Sequence, residues 1–255
     1  MLYRGIRALR QSVRQGFSSF FTNERCICCG KQCGAELCAA CMEEKVFRFV
    51  PPGIRRCSVC GKVLQGEEGL CLSCRERRVL HSPDAVFPLH AYRLWNKNLL
   101  FRWKMSGARV LSAVFAEALY RALCVLYSEN AGNVGNAIPP IVPVPPRPGK
   151  IRRQGWDQIA EVCTCLRRRH GLAVLPLLER LSDDQQKKKN RAERLKFPAV
   201  YAASRFALRA RCPVPAEVVL VDDLVTTGAT VECCARRLKE LGIRKVQVLS
   251  LFIVD

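Results

Sequence analysis

Residues 218–230, VVLVDDLVTTGAT, place two adjacent carboxylates just before a turn rich in hydroxyl groups. The apolar run into Asp222 and Asp223 predicts a buried strand, and the turn opens a predicted helix. A helix N terminus presents unpaired N–H groups that suit a phosphate, and Gly228 permits close approach of the backbone. The carboxylates would repel that phosphate, but they can accept hydrogen bonds from the vicinal hydroxyls of a sugar. The segment therefore predicts a ribose 5-phosphate site made of Asp222, Asp223, Thr226, Thr227, Gly228, Ala229 and Thr230.

Eight cysteines near the start of the chain form four C-x-x-C pairs: Cys26/Cys29, Cys38/Cys41, Cys57/Cys60 and Cys71/Cys74. In a chain without a recognisable secretory signal, such pairs indicate metal binding rather than disulfides. Two pairs complete a tetrahedral thiolate shell for Zn²⁺ with no open position, so one or two structural zinc ions are predicted. The pattern C-x-x-C-G…C-x-x-C occurs twice, which predicts a double zinc ribbon. The spacing leaves open whether the pairs combine sequentially or in a crossed order.

The chain carries a formal net charge of +20, from 42 Lys and Arg against 22 Asp and Glu. This excess predicts an anionic partner: nucleic acid, a phosphorylated small molecule or an anionic membrane. Arginines interrupt every apolar run in residues 1–24, so we expect a basic amphipathic segment there rather than a secretory signal. Glu117 interrupts the apolar run around it, and no integral membrane segment is predicted. We expect a cytoplasmic protein, with the inner face of the membrane as an alternative location.

Short apolar runs alternate with helical patterns from residue 141 onward, which predicts an α/β fold with a parallel sheet. The predicted strands span 141–145, 172–178, 218–222 and 245–254, and the predicted helices span 157–168 and 229–241. One or two further helices are expected between 94 and 126, after a linker at 81–87. Open α/β sheets bind ligands at the carboxyl ends of their strands, where the two aspartates would lie. As an alternative, the aspartates could cap the following helix, which would explain only one of them.

Residues 218–230 resemble the phosphoribosyl-diphosphate fingerprint of the type I phosphoribosyltransferases. Joined to two ribbons, this fingerprint resembles the ComF family of competence proteins. The segment IVPVPPRPGKIRRQGWDQIA is similar to that family's VPVP stretch and RGFNQ-like helix start, and RWKMSG, with Lys104, is similar to its K-x-x-G element. Glu179-Arg180, Gln185 and Glu193-Arg194 resemble a further family stretch. Gln154 and Asp157 depart from the family pattern, which usually has Arg and Asn there.

The resemblance implies three segments: the basic segment 1–24, a double zinc ribbon at 25–80 and a phosphoribosyltransferase-like domain at 81–255. It also implies a hood above the parallel sheet and a site for phosphoribosyl diphosphate with Mg²⁺. Candidates for the pyrophosphate side are Arg147, Lys150, Arg152 and Arg153. Residues 182–194 lack apolar periodicity, so Lys187, Lys188 and Lys189 are candidates for a loop that closes over the sugar. A solvated run of charge is the alternative for these lysines.

Two functions follow from these patterns. The ComF resemblance implies an accessory protein of DNA uptake that acts beside a helicase-like competence partner and binds single-stranded DNA mainly by charge. The alternative is an active phosphoribosyltransferase with an unidentified nitrogenous acceptor. Purine-type transferases have a carboxylate base where this chain has Thr226, and no other acceptor chemistry is evident in the sequence.

Overall fold

The computed structural model describes residues 25–127, 138–181, 201–209 and 214–254. Predictions for the segment 1–24 and for Lys187, Lys188 and Lys189 lie outside the described residues, as does the side chain of Arg153. All further structural statements concern the described ranges.

A four-stranded parallel sheet forms the centre of the protein, with the strand order β1-β6-β5-β2. Its strands are β1 (Ala85–Ala91), β2 (Ile141–Pro143), β5 (Glu217–Val225) and β6 (Lys245–Ile253). A separate antiparallel pair, β3 (Leu178–Arg180) and β4 (Tyr201–Ala203), forms a small second sheet. This arrangement confirms the predicted α/β class with a parallel sheet.

The helices cover both faces of the sheet. They are α1 (Ala39–Cys41), continued by one π-helical turn (Met42–Val46), α2 (Leu72–Glu76), α3 (Trp95–Met105), α4 (Val110–Tyr127), α5 (Lys150–Gln154), α6 (Gln158–His170), α7 (Arg205–Arg209) and α8 (Ala229–Glu240). Along β5, Val219 and Val221 pack with α4 and α6, whereas Val218 and Leu220 pack with α8. Because successive strand residues point to opposite faces, this strand is apolar along its whole buried run.

Three element predictions were wrong in detail. Residues 81–87, predicted as a linker, run into β1, and Pro88 inside that strand is tolerated because β1 lies at an edge of the sheet. Residues 172–178, predicted as a strand, make one bridge through Val174 to Ile141, and regular pairing begins only at Leu178, after Pro176. Strand β5 continues past the aspartates to Val225, because both Leu224 and Val225 stay in register with β6.

The cysteine-rich residues 25–80 pack directly against the α/β part. Leu37, Val46 and Phe47 share a core cluster with α4, and Leu64 shares the other cluster with α8. At Gly61 a Cβ atom would lie 1.9 Å from the carbonyl oxygen of Val86, so the knuckle lies against the backbone of β1. The boundary at residue 80 stays a prediction, and the two parts are in contact across it.

Helix α4 is long and apolar enough to cross a membrane by length and composition. Within this fold, 61% of that 18-residue window is buried inside the protein. Its Glu117 pairs with Arg121 at 2.8 Å, and its Oε2 lies 3.4 Å from Nε2 of His170 in α6. These contacts are those of a core helix, in agreement with the prediction of no integral membrane segment.

Candidate functional site

The two aspartates lie near the carboxyl end of β5 and have different surroundings. Asp222 is 8% exposed, and its Oδ1 accepts a hydrogen bond from the backbone N–H of Asp223 at 2.8 Å. Burial, together with the negative charge of Asp223, raises the pKa of Asp222 to about 8. The carboxylate of Asp223 accepts a hydrogen bond from Nζ of Lys104 at 2.7 Å. Near neutral pH the pair therefore offers one proton donor and one paired carboxylate to a ligand.

Lys104 is positioned by its neighbour in helix α3. Trp103 is fully buried, and its Nε1 donates to Oγ of Ser112 at 2.9 Å. That hydroxyl donates in turn to Oε2 of Glu161 at 2.7 Å, which links α3, α4 and α6. The end of α3 is thereby fixed, so that Lys104 reaches the aspartates.

A cavity of about 620 Å³ opens above the aspartates. Its lining alternates cations and carboxylates: Lys104, Arg147, Lys150 and Arg180 with Asp157, Asp222 and Asp223. Thr230, at the start of α8, also lines it. A lining of this kind suits a ligand that carries both hydroxyl and phosphate groups, because carboxylates accept hydrogen bonds from hydroxyls and cations bind phosphate.

Two of the four basic candidates for the pyrophosphate side line this cavity, Arg147 and Lys150. Nζ of Lys150 lies 3.0 Å from Oδ1 of Asp157, whose other oxygen accepts from the N–H of Ala160 and caps α6. Arg152 is exposed and lies outside the lining. Asp157, a departure from the family pattern, is thus both a helix cap and the partner of a lysine.

The predicted phosphate turn lies between two cavities. Thr226, Thr227, Gly228 and Ala229 line a second cavity of about 420 Å³, whose opposite wall belongs to the second cysteine cluster. Gly228 has φ +82°, and the side chain of Leu80 lies 3.0 Å from the position of its Cβ. Gly228 is also the residue that precedes helix α8, and the first N–H of this helix, that of Ala229, donates to Oγ1 of Thr227 at 3.4 Å. The capping alternative for the aspartates therefore does not hold, and the predicted site residues are divided between the cavities.

Sequence reasoning missed part of the larger cavity. Arg180 and Tyr201, from the β3–β4 pair, also line it, with Arg180 Nη1 donating to the Tyr201 hydroxyl at 3.3 Å. Arg180 belongs to a stretch that resembles the family, but no role could be given to it because the pairing with Tyr201 joins distant residues. Trp156 lies outside this lining and faces Trp103 with ring centroids 6.4 Å apart.

The eight predicted cysteine ligands form two groups in sequential order. The sulfurs of Cys26, Cys29, Cys38 and Cys41 lie within 4.8 Å of one another, as do those of Cys57, Cys60, Cys71 and Cys74. A sulfur tetrahedron around zinc, with bonds of about 2.3 Å, has edges of roughly 3.8 Å. The Cys29–Cys38 and Cys60–Cys71 sulfur distances are 3.8 Å and 3.7 Å. Both clusters are compatible with structural zinc.

The clusters also hold thiols that ionise readily. Burial disfavours the thiolate of Cys26, but backbone N–H groups, above all that of Cys38, lower its pKa to about 6. In the same way the pKa of Cys57 is lowered to about 7, against burial, by N–H groups that include that of Cys60. Cys33 lies outside both groups and donates to the carbonyl oxygen of Ala35.

No protein-family model matches the chain. Two competence proteins are similar to it over most of its length. The chain is 26% identical over 236 residues to the competence protein ComFC of Streptococcus pneumoniae (strain ATCC BAA-255 / R6), covering 90% of this chain and 88% of that protein. It is also 26% identical over 193 residues to the competence protein ComFC of Bacillus subtilis (strain 168), covering 73% of this chain and 72% of that protein.

Proposed function

Because the chain is a relative of the ComF competence proteins along most of its length, we propose that it binds phosphoribosyl diphosphate and acts in DNA uptake. The observation that carries the proposal is the meeting of Asp222, Asp223, Lys104 and Lys150 in one cavity beside the turn at 226–229. A strand-end carboxylate pair next to a turn with N–H and hydroxyl groups matches the two ends of a ribose 5-phosphate.

Each wall of the site has a task in this proposal. Asp222 and Asp223 bind the vicinal hydroxyls of the ribose, with Lys104 holding Asp223 in place. The turn residues Thr226, Thr227, Gly228, Ala229 and Thr230 bind the 5-phosphate through N–H and hydroxyl donors. Arg147 and Lys150 face the pyrophosphate, and Arg152, Arg153, Lys187, Lys188 and Lys189 remain candidates to extend this side.

Magnesium would enter this site with the ligand. In the described ranges, the two cysteine clusters are the only groups of three or more His, Cys, Asp or Glu ligands close enough to hold an ion. The carboxylates of the larger cavity are individually engaged, Asp223 by Lys104 and Asp157 by Lys150. Mg²⁺ would take most of its oxygen ligands from pyrophosphate, the diol and water, and would neutralise the leaving group's charge.

The DNA-handling role rests on the relatives' names and on charge. A net charge of +20 favours single-stranded DNA binding in the cytoplasm that is electrostatic and tolerant of sequence. A helicase-like competence protein is the partner we propose, at the inner face of the membrane if the basic segment 1–24 attaches there. Zinc, one ion per cluster, would keep the ribbons folded.

Calorimetric titration tests the proposal. Phosphoribosyl diphosphate should bind with Mg²⁺, and the double substitution Asp222→Asn/Asp223→Asn should reduce affinity at least tenfold without changing zinc content. Single-stranded DNA affinity should fall steeply as salt increases. Absence of sugar-phosphate binding by the unmodified protein would refute the first part, and salt-independent DNA binding the second.

An active phosphoribosyltransferase is the second candidate. The observation in its favour is the Arg180–Tyr201 pair, which lines the same cavity of about 620 Å³ as the aspartates. Pyrophosphate release from phosphoribosyl diphosphate, screened with Mg²⁺ and nitrogenous acceptors, separates the two candidates. Release that depends on an acceptor and is lost in Asp222→Asn/Asp223→Asn supports the enzyme; ligand binding without release supports the accessory role.

A further inference from the structure

The smaller cavity joins two features that lie far apart in the sequence. One wall is the turn at 226–229, and the other is the second cysteine cluster, which contributes Cys60, Cys71 and Cys74. Two cationic residues of the ribbon, Lys62 and Arg77, line the same cavity, as does Ser73. Glu76 is the acidic residue in the lining.

The turn lacks a cation of its own. Its residues are Thr, Thr, Gly and Ala, so the turn offers N–H and hydroxyl donors but no formal charge. A phosphate monoester carries nearly two negative charges at neutral pH. The turn, Lys62 and Arg77 line one cavity of about 420 Å³, so a phosphoryl group bound at the turn would share that cavity with both cations.

The cluster fixes the backbone next to these cations. Lys62 comes two residues after Cys60, and its carbonyl oxygen accepts from the N–H of Cys57 at 2.7 Å. Arg77 comes three residues after Cys74, at the end of helix α2, where its N–H donates to the carbonyl of Ser73 at 3.0 Å. Both residues are therefore carried by segments that the cysteine ligands hold.

The wall is also attached to the turn itself. Leu80 packs against Gly228, and the residues that follow it bind the first turn of α8. The backbone N–H groups of His81 and Ser82 donate to Oε2 of Glu232 at 2.8 and 2.9 Å, and the Ser82 hydroxyl donates to Oε1 at 2.7 Å. These contacts set the distance between the ribbon cations and the turn.

We propose that the second ribbon is part of the ligand site, with Lys62 and Arg77 binding the phosphate monoester that the turn at 226–229 holds. This inference rests on the proposed sugar-phosphate function and adds to it a residue set outside the α/β domain. The ribbon then has two tasks, because the same segment that binds the metal also neutralises the ligand. Glu76 opposes binding and sets its strength.

Single substitutions of the cavity residues, compared with a control that removes the same charge elsewhere, test the proposal. Lys62→Met and Arg77→Met should each weaken ribose 5-phosphate binding about tenfold, and Glu76→Gln should strengthen it about threefold. Arg55→Met removes the same charge from an exposed position of the same ribbon, outside the lining, and should change affinity less than twofold. Zinc content, measured for every variant, should stay at the unmodified value.

Binding of different ligands shows whether the ribbon inference or the proposed function has failed. Ribose without phosphate and inorganic pyrophosphate should bind the Lys62→Met and Arg77→Met variants as they bind the unmodified protein. If these variants bind ribose 5-phosphate normally while Asp222→Asn/Asp223→Asn does not, the ribbon inference is wrong and the proposed function stands. If the variants lose pyrophosphate rather than ribose 5-phosphate, the ribbon faces the other end of the ligand and the inference is wrong. If the unmodified protein binds none of these ligands, the proposed function fails, and the inference with it.

Discussion

The two cysteine clusters share a motif and differ in what surrounds them. The first cluster lies beside α4, where the ring of Phe47 packs under the guanidinium of Arg121 at 4.1 Å and Arg121 pairs with Glu43. Residues 25–50 are absent from the linings of both described cavities. The second cluster forms the wall of the smaller cavity, opposite the turn at 226–229. A duplicated fold element has therefore been placed once against a core helix and once against the cavity of the proposed ligand site.

This difference predicts that the two cysteine clusters affect different properties of the protein. Loss of the first should loosen its own module, which is held by apolar packing, by partly exposed ion pairs and by the hydrogen bond between Nε2 of His90 and the carbonyl of Val46. Loss of the second should also move the residues that define the smaller cavity. Stability and ligand affinity, measured together, distinguish these effects.

The largest effect is expected from replacing one metal-binding cysteine in each cluster. Cys71→Ser and Cys29→Ser should each lower the zinc content from two ions to one. Structural zinc stabilises its ribbon by many kcal/mol, so both proteins should unfold at lower temperature. Affinity for ribose 5-phosphate should fall more than tenfold in Cys71→Ser and less than threefold in Cys29→Ser. Metal analysis, thermal unfolding and calorimetry measure the three quantities.

The outer thiol Cys33 supplies the control. Cys33→Ser removes a sulfur outside both clusters and should leave zinc content and affinity unchanged. Equal losses of affinity in Cys71→Ser and Cys29→Ser would contradict the division of tasks between the clusters.

The next effect concerns the attachment of the second ribbon to the sheet. The Arg56 guanidinium donates to the carbonyls of Val50, Gly61 and Pro88, at 2.6, 2.8 and 3.2 Å. It also lies 4.1 Å from the ring centroid of Phe87. Arg56→Met leaves these part-buried carbonyls without their donor and should lower the free energy of unfolding by about 3 kcal/mol. Chemical denaturation measures the change.

Arg55→Met, next to it and exposed, should lower stability by less than about 0.5 kcal/mol. Similar losses in the two variants would show that the ribbon is held by apolar packing alone. Calorimetry of Arg56→Met further sharpens the comparison, because a ribbon that forms part of the ligand site cannot be loosened without loss of affinity.

The next prediction concerns the aspartates, which should change the free energy of unfolding by about 2 kcal/mol. This change depends on pH and does not involve either cysteine cluster. The folded pKa of Asp222, about 8, lies above the unfolded value of about 3.9, so the folded state binds the extra proton between these values. Stability contributed by this group is complete below pH 4 and is lost as pH rises toward 8. Asp222→Asn should therefore stabilise the protein at pH 8, by on the order of 2 kcal/mol, and hardly at all at pH 4. Thermal unfolding across this range measures the difference.

Asp223→Asn is the matched control, since it removes the partner of Lys104 and should destabilise the protein at pH 8. Zinc content should be unchanged in both variants. If Asp222→Asn changed stability equally at pH 4 and pH 8, the buried proton would not be the cause.

Local sequence patterns predicted which residues form the clusters and the strand better than they predicted how these parts pack together. The C-x-x-C spacing predicted all eight cysteines of the clusters, because such a pair brings two thiolates to one point and two pairs can surround one ion. The apolar run before Asp222 predicted a buried strand because a strand covered on both faces is apolar throughout. In both cases the determining contacts lie within a few residues of one another.

Contacts between distant residues escaped prediction. Arg180 meets Tyr201, and Leu80 meets Gly228, through the fold rather than through spacing. Sequential pairing of the cysteines could not be chosen over crossed pairing for the same reason. The division of the predicted phosphate turn and the aspartates between two cavities follows from where the second ribbon packs, which no local pattern encodes.

The smallest effects are expected from removing one polar contact that attaches each ribbon to the rest of the protein. Ser82→Ala removes the hydroxyl that donates to Glu232 at 2.7 Å beside the turn, and Glu43→Gln weakens the ion pair with Arg121 at 3.0 Å. The first should lower stability by about 1 kcal/mol, and the second, half exposed, by about 0.5 kcal/mol or less. Affinity for ribose 5-phosphate should fall two- to threefold in Ser82→Ala only, because Glu232 lies in the first turn of α8, next to the phosphate turn. A fall in Glu43→Gln would mean that the first ribbon also affects the site, since Glu43 contacts the rest of the protein through Arg121 of α4.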